Sequence, residues 1–402
     1  MTPRPITSPG DRPSQHREAS HLIILLGVVS LFADATYESA RSVLGPYLAA
    51  LGASGGTVGM VAGLGELIGY GLRFGSGYLA DRTGRYWGIA LIGFSLNMAA
   101  VPFLALAGHW GWVAALIALE RTGKAIRNPP RDAILSHAAQ VVGRGWGFGL
   151  QEALGQIGAV IGPLAISAAL YFHADYRTCL GSLAIPALLT LVTLAIGALT
   201  YTKPRALETT ATAATNLPLP RSFWFFLVAA SLIAAGSLDF PLVAYHVHGN
   251  ALLSEARIPV LYAVVMGSQA LSALGSGLLF DRVGLRTLIG ICLFTAPIAP
   301  LAFGGHPAGL FAAMILWGLG MGAQKTMFKA TVARMSPAGR RGFAYGCFDL
   351  CYGVSWFLGS MLMGYSYEMS VSALISISIG SQLIAIPVLL FVVRRAGREG
   401  VP

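Results

Sequence analysis

Charge is what this chain has least of. Only 11% of its 402 residues are Asp, Glu, Lys or Arg, less than half the share of an ordinary soluble domain. That excludes a water-soluble enzyme. Cysteine is scarce as well. Cys179, Cys292, Cys347 and Cys351 form no C-x-x-C pair and lie in or beside apolar runs, so neither a disulfide framework nor a zinc site is expected. No Walker loop or Ser/His/Asp set is apparent. The stretch Gly318-Leu319-Gly320-Met321-Gly322 follows no strand and reads as a helix-packing surface, not a phosphate cradle. His246-Val247-His248 reads as a pair of interfacial histidines. The expectation is therefore no enzyme, no cofactor and no metal centre.

What fills the space is hydrophobic: 55% of residues, with a mean hydropathy of +0.67. The 50 glycines are scattered without a period, as in membrane helices that approach closely. Apolar runs fall at 21–50, 56–80, 87–107, 110–137, 145–172 and 179–201, then at 222–249, 256–280, 287–304, 307–334, 341–366 and 370–393. A span needs about 20 apolar residues. The expected fold is thus an all-α polytopic membrane protein of twelve transmembrane helices in two pseudo-symmetric six-helix halves, 21–201 and 222–394. Residues 1–20 hold no cleavable signal pattern. They are expected to form a cytoplasmic tail, as are 395–402, with 202–221 a cytoplasmic linker. The net charge of +10 needs no nucleic acid to explain it. Of the Lys and Arg residues in the loops and at the span ends, only Arg177 and Arg257 fall on the side opposite the termini, which is the positive-inside bias of a multi-pass inner-membrane protein.

The halves repeat each other. Gly77-Tyr78-Leu79-Ala80-Asp81-Arg82-Thr83-Gly84-Arg85 after span 2 returns as Gly277-Leu278-Leu279-Phe280-Asp281-Arg282-Val283-Gly284 after span 8. Glu152 of span 5 and Asp349 of span 11 hold matching places. Duplicated six-span units are a transporter signature, with the site at the repeat interface.

On these residues the chain resembles the major facilitator superfamily. The 77–85 stretch resembles its loop 2–3 motif and 277–284 the counterpart in loop 8–9; Arg121-Thr122-Gly123 resembles its span-4 motif, and Gly158-Ala159-Val160-Ile161-Gly162-Pro163 the G-x-x-x-G-P motif of its antiporters. The resemblance implies that spans 1, 4, 7 and 10 line a central cavity. It also implies that Asp132 completes a gating relay with Gly77, Asp81, Arg82, Gly84 and Arg85, for which Asp281, Arg282 and Gly284 form the second copy.

Ionisable residues at bilayer depth cost at least about 2.5–3.5 kcal/mol each on insertion scales and persist where they face protein or water. Asp34, Glu38 and Arg41 form one helical stripe in span 1, Glu120, Lys124, Arg127 and Arg131 another in span 4, with Arg121 off to one side. Pro129-Pro130 is expected to kink or end that helix near Asn128. Glu66 and Arg73 in span 2 read as structural ion-pair formers. Span 7 contributes Asp239, and span 10 contributes Gln324, Lys325 and Lys329. Acids of spans 1 and 7 are expected to meet bases of spans 4 and 10, with Glu152 and Asp349 pairing with Lys124, Arg127 or Lys325. Two carboxylates one turn apart disfavour joint ionisation, which suits Asp34 and Glu38 to carry a proton.

The reading is a monomeric secondary active transporter in the lipid bilayer, moving a small organic solute by alternating access, with protons as the coupling ion and efflux as the direction. Uptake symport, divalent-metal transport, and a non-coupled sensor or lipid scramblase on the same fold are the alternatives.

Overall fold

The computed structural model describes residues 11–201, 219–337 and 340–399. Apart from short turns the described chain is helical, and its helices make twelve spans. In order these are Asp11–Ala50; Gly55–Gly71 with Arg73–Thr83; Tyr86–Phe103; Trp110–Val142; Arg144–Tyr171; and Tyr176–Ser182 with Ala184–Thr200. The second half follows with Arg221–Ala235 and Phe240–Gly249; Ile258–Val283; Thr287–Thr295 and Ile298–Phe303; Pro307–Met335; Arg341–Met369; and Val371–Arg398. Helices satisfy every backbone group internally, the condition for crossing hydrocarbon. Leu188, Leu199, Ile185 and Trp112 are exposed on the outer surface, where lipid replaces water. Residues 202–218, most of the expected linker, lie outside the described residues.

Span 1 begins nearly three turns of helix before the expected start at 21, at Asp11. Pro13 causes no break because it sits in the first turn, where its missing N–H has no intrahelical partner to lose. Of the two outcomes expected at Pro129-Pro130 the helix does not take the ending, because span 4 runs through both to Val142. Pro129 cannot donate to the Ala125 carbonyl, and Ser76 Oγ of span 2 donates to that oxygen instead, at 2.8 Å. The proline ring packs 3.5 Å from where a Cβ on Gly77 would sit. Span 2 thus repairs the helix it leans on.

Span 7 shows the opposite behaviour. The apolar run 222–249 holds Pro241, which can loosen a helix, and the chain unwinds just before it, at Gly236–Asp239. Ser378 Oγ of span 12 donates to the freed Gly236 carbonyl at 2.7 Å, and Ser237 Oγ turns back to Ile233 O at 2.8 Å. Pro241 then opens the second segment in its first turn, where its fixed φ suits a helix start.

Glycine sets the distances between spans. A Cβ on Gly158 would lie 2.0 Å from Leu31 O, and one on Gly162 2.5 Å from Ala35 O, so the G-x-x-x-G-P stretch is where span 5 lies backbone-to-backbone on span 1. Spans 3 and 4 meet in the same way at Gly93 and Gly123. Gly84 ends the second segment of span 2 in the left-handed conformation (φ 63°), and Gly284 has φ 69° in the copy. That conformation explains why both motifs hold glycine there.

We call the end carrying Arg82, Arg85, Arg282 and Arg286 the basic end, and the opposite one the far end. At the far end the halves close on each other. Gly45 of span 1 abuts Pro241 O, Gly59 of span 2 abuts Ser360 O, and Gly364 of span 11 abuts Gly55 O. Gly56 N donates to Glu368 Oε1 at 2.5 Å, and Ser167 Oγ of span 5 donates to Ala256 O at 2.7 Å. Toward the basic end a cleft opens between the halves: Lys325 of span 10 is exposed although its charged neighbours Glu38, Glu152, Glu66 and Arg41 all belong to the first half.

Candidate functional site

The stripe on span 1 ends in a polar seam at the closed floor of the cleft. Arg41 Nη2 lies 2.9 Å from Glu66 Oε1 of its own half and 3.4 Å from Asp239 Oδ1 of the other. Asp239 stands at the break in span 7, so its carboxylate leaves the helix free to turn sideways. Its second oxygen accepts from Trp356 Nε1 at 3.0 Å and from Ser360 Oγ, both on span 11. One turn before Arg41, buried Glu38 accepts a hydrogen bond from Tyr262 of span 8. Two charge-assisted links therefore cross the boundary between the halves. Arg121 joins the group from span 4, 3.7 Å from Glu66 and 3.1 Å from Glu120.

Span 4 sends its charges in several directions. Glu120 accepts from Asn97 Nδ2 at 2.8 Å, which ties it to span 3 and away from the cleft. Lys124 Nζ sits 3.7 Å over the Tyr37 ring, a cation–π contact. Arg127 is 1% exposed, packed over Phe94 at 4.4 Å, and reaches Asp34 only at 4.0 Å. Its Nε and Nη1 have no hydrogen-bond partner. Asp34 is more open, with 19% of its side chain accessible, and lies on Gly155 of span 5, where any Cβ would come within 2.5 Å of Oδ2.

The expected pairing of Glu152 and Asp349 with Lys124, Arg127 or Lys325 is not made. Glu152 is exposed and bonded to its neighbour Gln156 at 3.1 Å. Asp349 has Arg73 and Lys329 as its charged neighbours. The open cleft keeps Glu152 from Lys325 and Asp349 from Lys124 and Arg127; within the first half Lys124 lies over Tyr37 and Arg127 over Phe94, each engaged away from Glu152. Asp239 likewise meets Arg41 of span 1, not a base of span 4 or 10. Glu66, expected to find an ion-pair partner on a neighbouring helix, finds two, Arg41 of span 1 and Arg121 of span 4, and lies at the centre of the seam. Gln324 turns into its own half, accepting from Tyr352 at 3.3 Å. Lys325 is exposed midway along span 10. Its charged neighbours are Glu38, Glu152, Glu66 and Arg41, all in the first half, so it faces the cleft and not lipid.

At the gating motif the Asp81 side chain lies outside the described residues. Asp132 holds Arg131, at 2.7 and 2.9 Å, and does not reach the motif. Arg82, Asp281 and Arg282 are exposed at the basic end, and no ion pair joins them or Arg85 among the described residues. His246 turns inward to Tyr367 at 3.0 Å, and His248 outward to Glu255 at 2.6 Å.

Sequence reasoning missed the neutral partners Tyr37, Asn97, Tyr262, Trp356 and Ser360. Hydroxyls, carboxamides and indoles carry no insertion penalty large enough to mark them out in an apolar run.

The family model for the Major Facilitator Superfamily matches residues 25–264 and 222–402. An uncharacterised protein of Mycobacterium tuberculosis is 37% identical over 384 residues, covering 94% of this chain and 93% of that protein. An uncharacterised MFS-type transporter of Methanocaldococcus jannaschii is 25% identical over 363 residues, covering 88% and 90%. Among solved structures the nucleoside transporter NupG aligns with a TM-score of 0.71 at 15% identity, over 93% of this chain and 98% of that one. A bacterial homolog of the human lysosomal transporter Spinster, inward-facing and unoccupied, aligns with a TM-score of 0.68 at 15% identity, over 93% and 95%. At that identity the solved structures speak for the fold alone.

Proposed function

Because the chain belongs to the Major Facilitator Superfamily and is built as a secondary transporter, we propose that it moves a small organic solute coupled to protons, with Asp34 and Glu38 as the proton-carrying groups and export as the direction. One observation carries the coupling. Glu38 is buried at the seam and bonded across the halves to Tyr262, and one turn away Asp34 is open to the cleft. A proton reaching Glu38 from Asp34 replaces a charge-assisted bond with a neutral one and loosens the floor of the cleft. Protonation then biases the two states differently, as coupling requires. Export is supported by the cleft opening toward the end expected to face the cytoplasm, and by the resemblance of 158–163 to an antiporter motif.

Uptake symport has one observation in its favour. Glu38 lies within electrostatic reach of both Lys124 and Lys325. A proton on Glu38 therefore strengthens the pull of the cleft on a negatively charged solute.

Labelling of a cysteine placed at Lys329, on a background with the native cysteines replaced, tests the coupling without knowledge of the solute. The labelling rate, divided at each pH by that of a free thiol to remove the ionisation of the cysteine itself, is expected to change across about pH 5–8 as the populations of the two states shift. Glu38→Gln combined with Asp34→Asn should flatten the profile. A parent profile already flat, or a double variant that titrates like the parent, removes these two acids from the coupling.

A further inference from the structure

Lys124 and Lys325 are left over once the seam has been assembled. The carboxylates near them have other close partners: Glu66 and Asp239 hold Arg41, Glu120 holds Arg121 and Asn97, Glu38 holds Tyr262, and Glu152 holds Gln156. Asp34, the remaining one, points toward Arg127. No carboxylate oxygen among the described residues lies within ion-pair distance, 4.0 Å, of either lysine. Lys124 has only the Tyr37 ring face beneath it. Lys325 is exposed to the cleft. The two ammoniums belong to opposite halves, and Glu38 is a charged neighbour of both, so they flank the same space above the floor of the cleft.

A cation at membrane depth is costly, and here the cost is offset only in part: Glu38, Glu120 and Asp34 act on Lys124, and Glu38, Glu152 and Glu66 on Lys325, from beyond ion-pair distance. When the basic end closes, spans 4 and 10 approach and bring the two ammoniums toward each other. Like charges converging in a medium that is losing its water repel more strongly as they close. Both problems are solved by a negatively charged group lying between them. Lysine suits this use: its ammonium is a compact point charge on a flexible stem, able to follow a ligand as the walls move.

We propose that Lys124 and Lys325 form the binding site for the anionic group of the transported solute, a carboxylate or phosphate of a small organic anion, clasped between the two halves. This inference rests on the transporter reading and on neither direction of coupling.

The test uses the purified full-length protein in nanodiscs at constant sodium chloride. Thermal stability is followed against succinate, citrate and inorganic phosphate, with ribose and choline as neutral and cationic controls, because a ligand that binds the native state raises stability in a saturable way. At least one of the three anions is expected to stabilise the parent protein. Lys124→Gln and Lys325→Gln should each weaken that anion's apparent affinity about tenfold or more, the loss for one charge-assisted contact. Lys329→Gln should leave it unchanged, and Lys124→Arg should retain binding. Without ligand, neither Gln variant should melt below the parent, since no ion pair is lost; this keeps a folding defect distinguishable from a lost site. The proposal is overturned by stabilisation confined to ribose or choline, by no stabilisation from any anion, or by anion binding that survives both Gln variants. Anion binding that leaves labelling at position 329 unaltered would count against the transporter reading and not against the site.

Discussion

At the scale of single residues the seam is held by a few partners with defined geometry, and their energies can be checked one at a time. Arg41 and Asp239 meet at 3.4 Å across the halves with little solvent contact, so a double-variant cycle of Arg41→Gln with Asp239→Asn should show a coupling of about 1 kcal/mol or more by thermal unfolding. The cycle of Arg127→Gln with Glu152→Gln should be additive within about 0.5 kcal/mol in the same state, because those side chains do not meet. Asn97→Ala removes the donor that tethers Glu120 and should cost about 1–3 kcal/mol of stability, the price of leaving a buried polar group unsatisfied. Charged members of this network were legible from sequence, since an intramembrane charge announces itself. Their partners were not. Which acid meets which base depends on how far the halves are tilted, and no spacing along one helix encodes that angle. Tyr262 is the clearest case, a tyrosine in an apolar run that stands out only once span 8 is laid against span 1.

At the scale of helices, glycine divides the structure into joints that must hold and joints that must part. Gly158 presses span 5 on span 1 within one half, while Gly45 presses span 1 on the Pro241–Tyr245 turn of the other half. An added methyl forces separation in either place, with a penalty of about 1–3 kcal/mol for overpacking, but the consequences differ. Gly158→Ala should lower the melting temperature of the protein as a whole. Gly45→Ala should leave the fold intact and populate a state opened at the far end, read as slower labelling of a cysteine at Lys329. Equal loss of stability in both variants, with unchanged labelling, would mean that the Gly45 contact is never released. The number of spans and the repeat were readable from hydropathy. The fate of two helices was not. Span 4 survives its paired prolines because Ser76 donates to Ala125 O, and span 7 breaks at Gly236 because span 12 offers Ser378 to the released carbonyl. Both outcomes are settled by a hydroxyl on another helix, so local propensity marks the two weak points and not which of them breaks.

At the scale of the whole molecule the two halves are copies whose facing surfaces have diverged. The closed end is held by glycine against carbonyl oxygen and by buried charged partners, Arg41 with Glu66 and Asp239; the open end carries lysines and carboxylates around a cleft. The closed end works by van der Waals contact and by buried ion pairs, both of which dissolved ions weaken little. The walls at the basic end act on each other through water, where about 0.15 M salt confines their influence to roughly 8 Å. Ionic strength thus acts mainly on one end of the carrier. The balance between its two states becomes a function of the salt on the side to which the cleft is open, and two compartments of unequal ionic strength would bias an otherwise symmetric cycle.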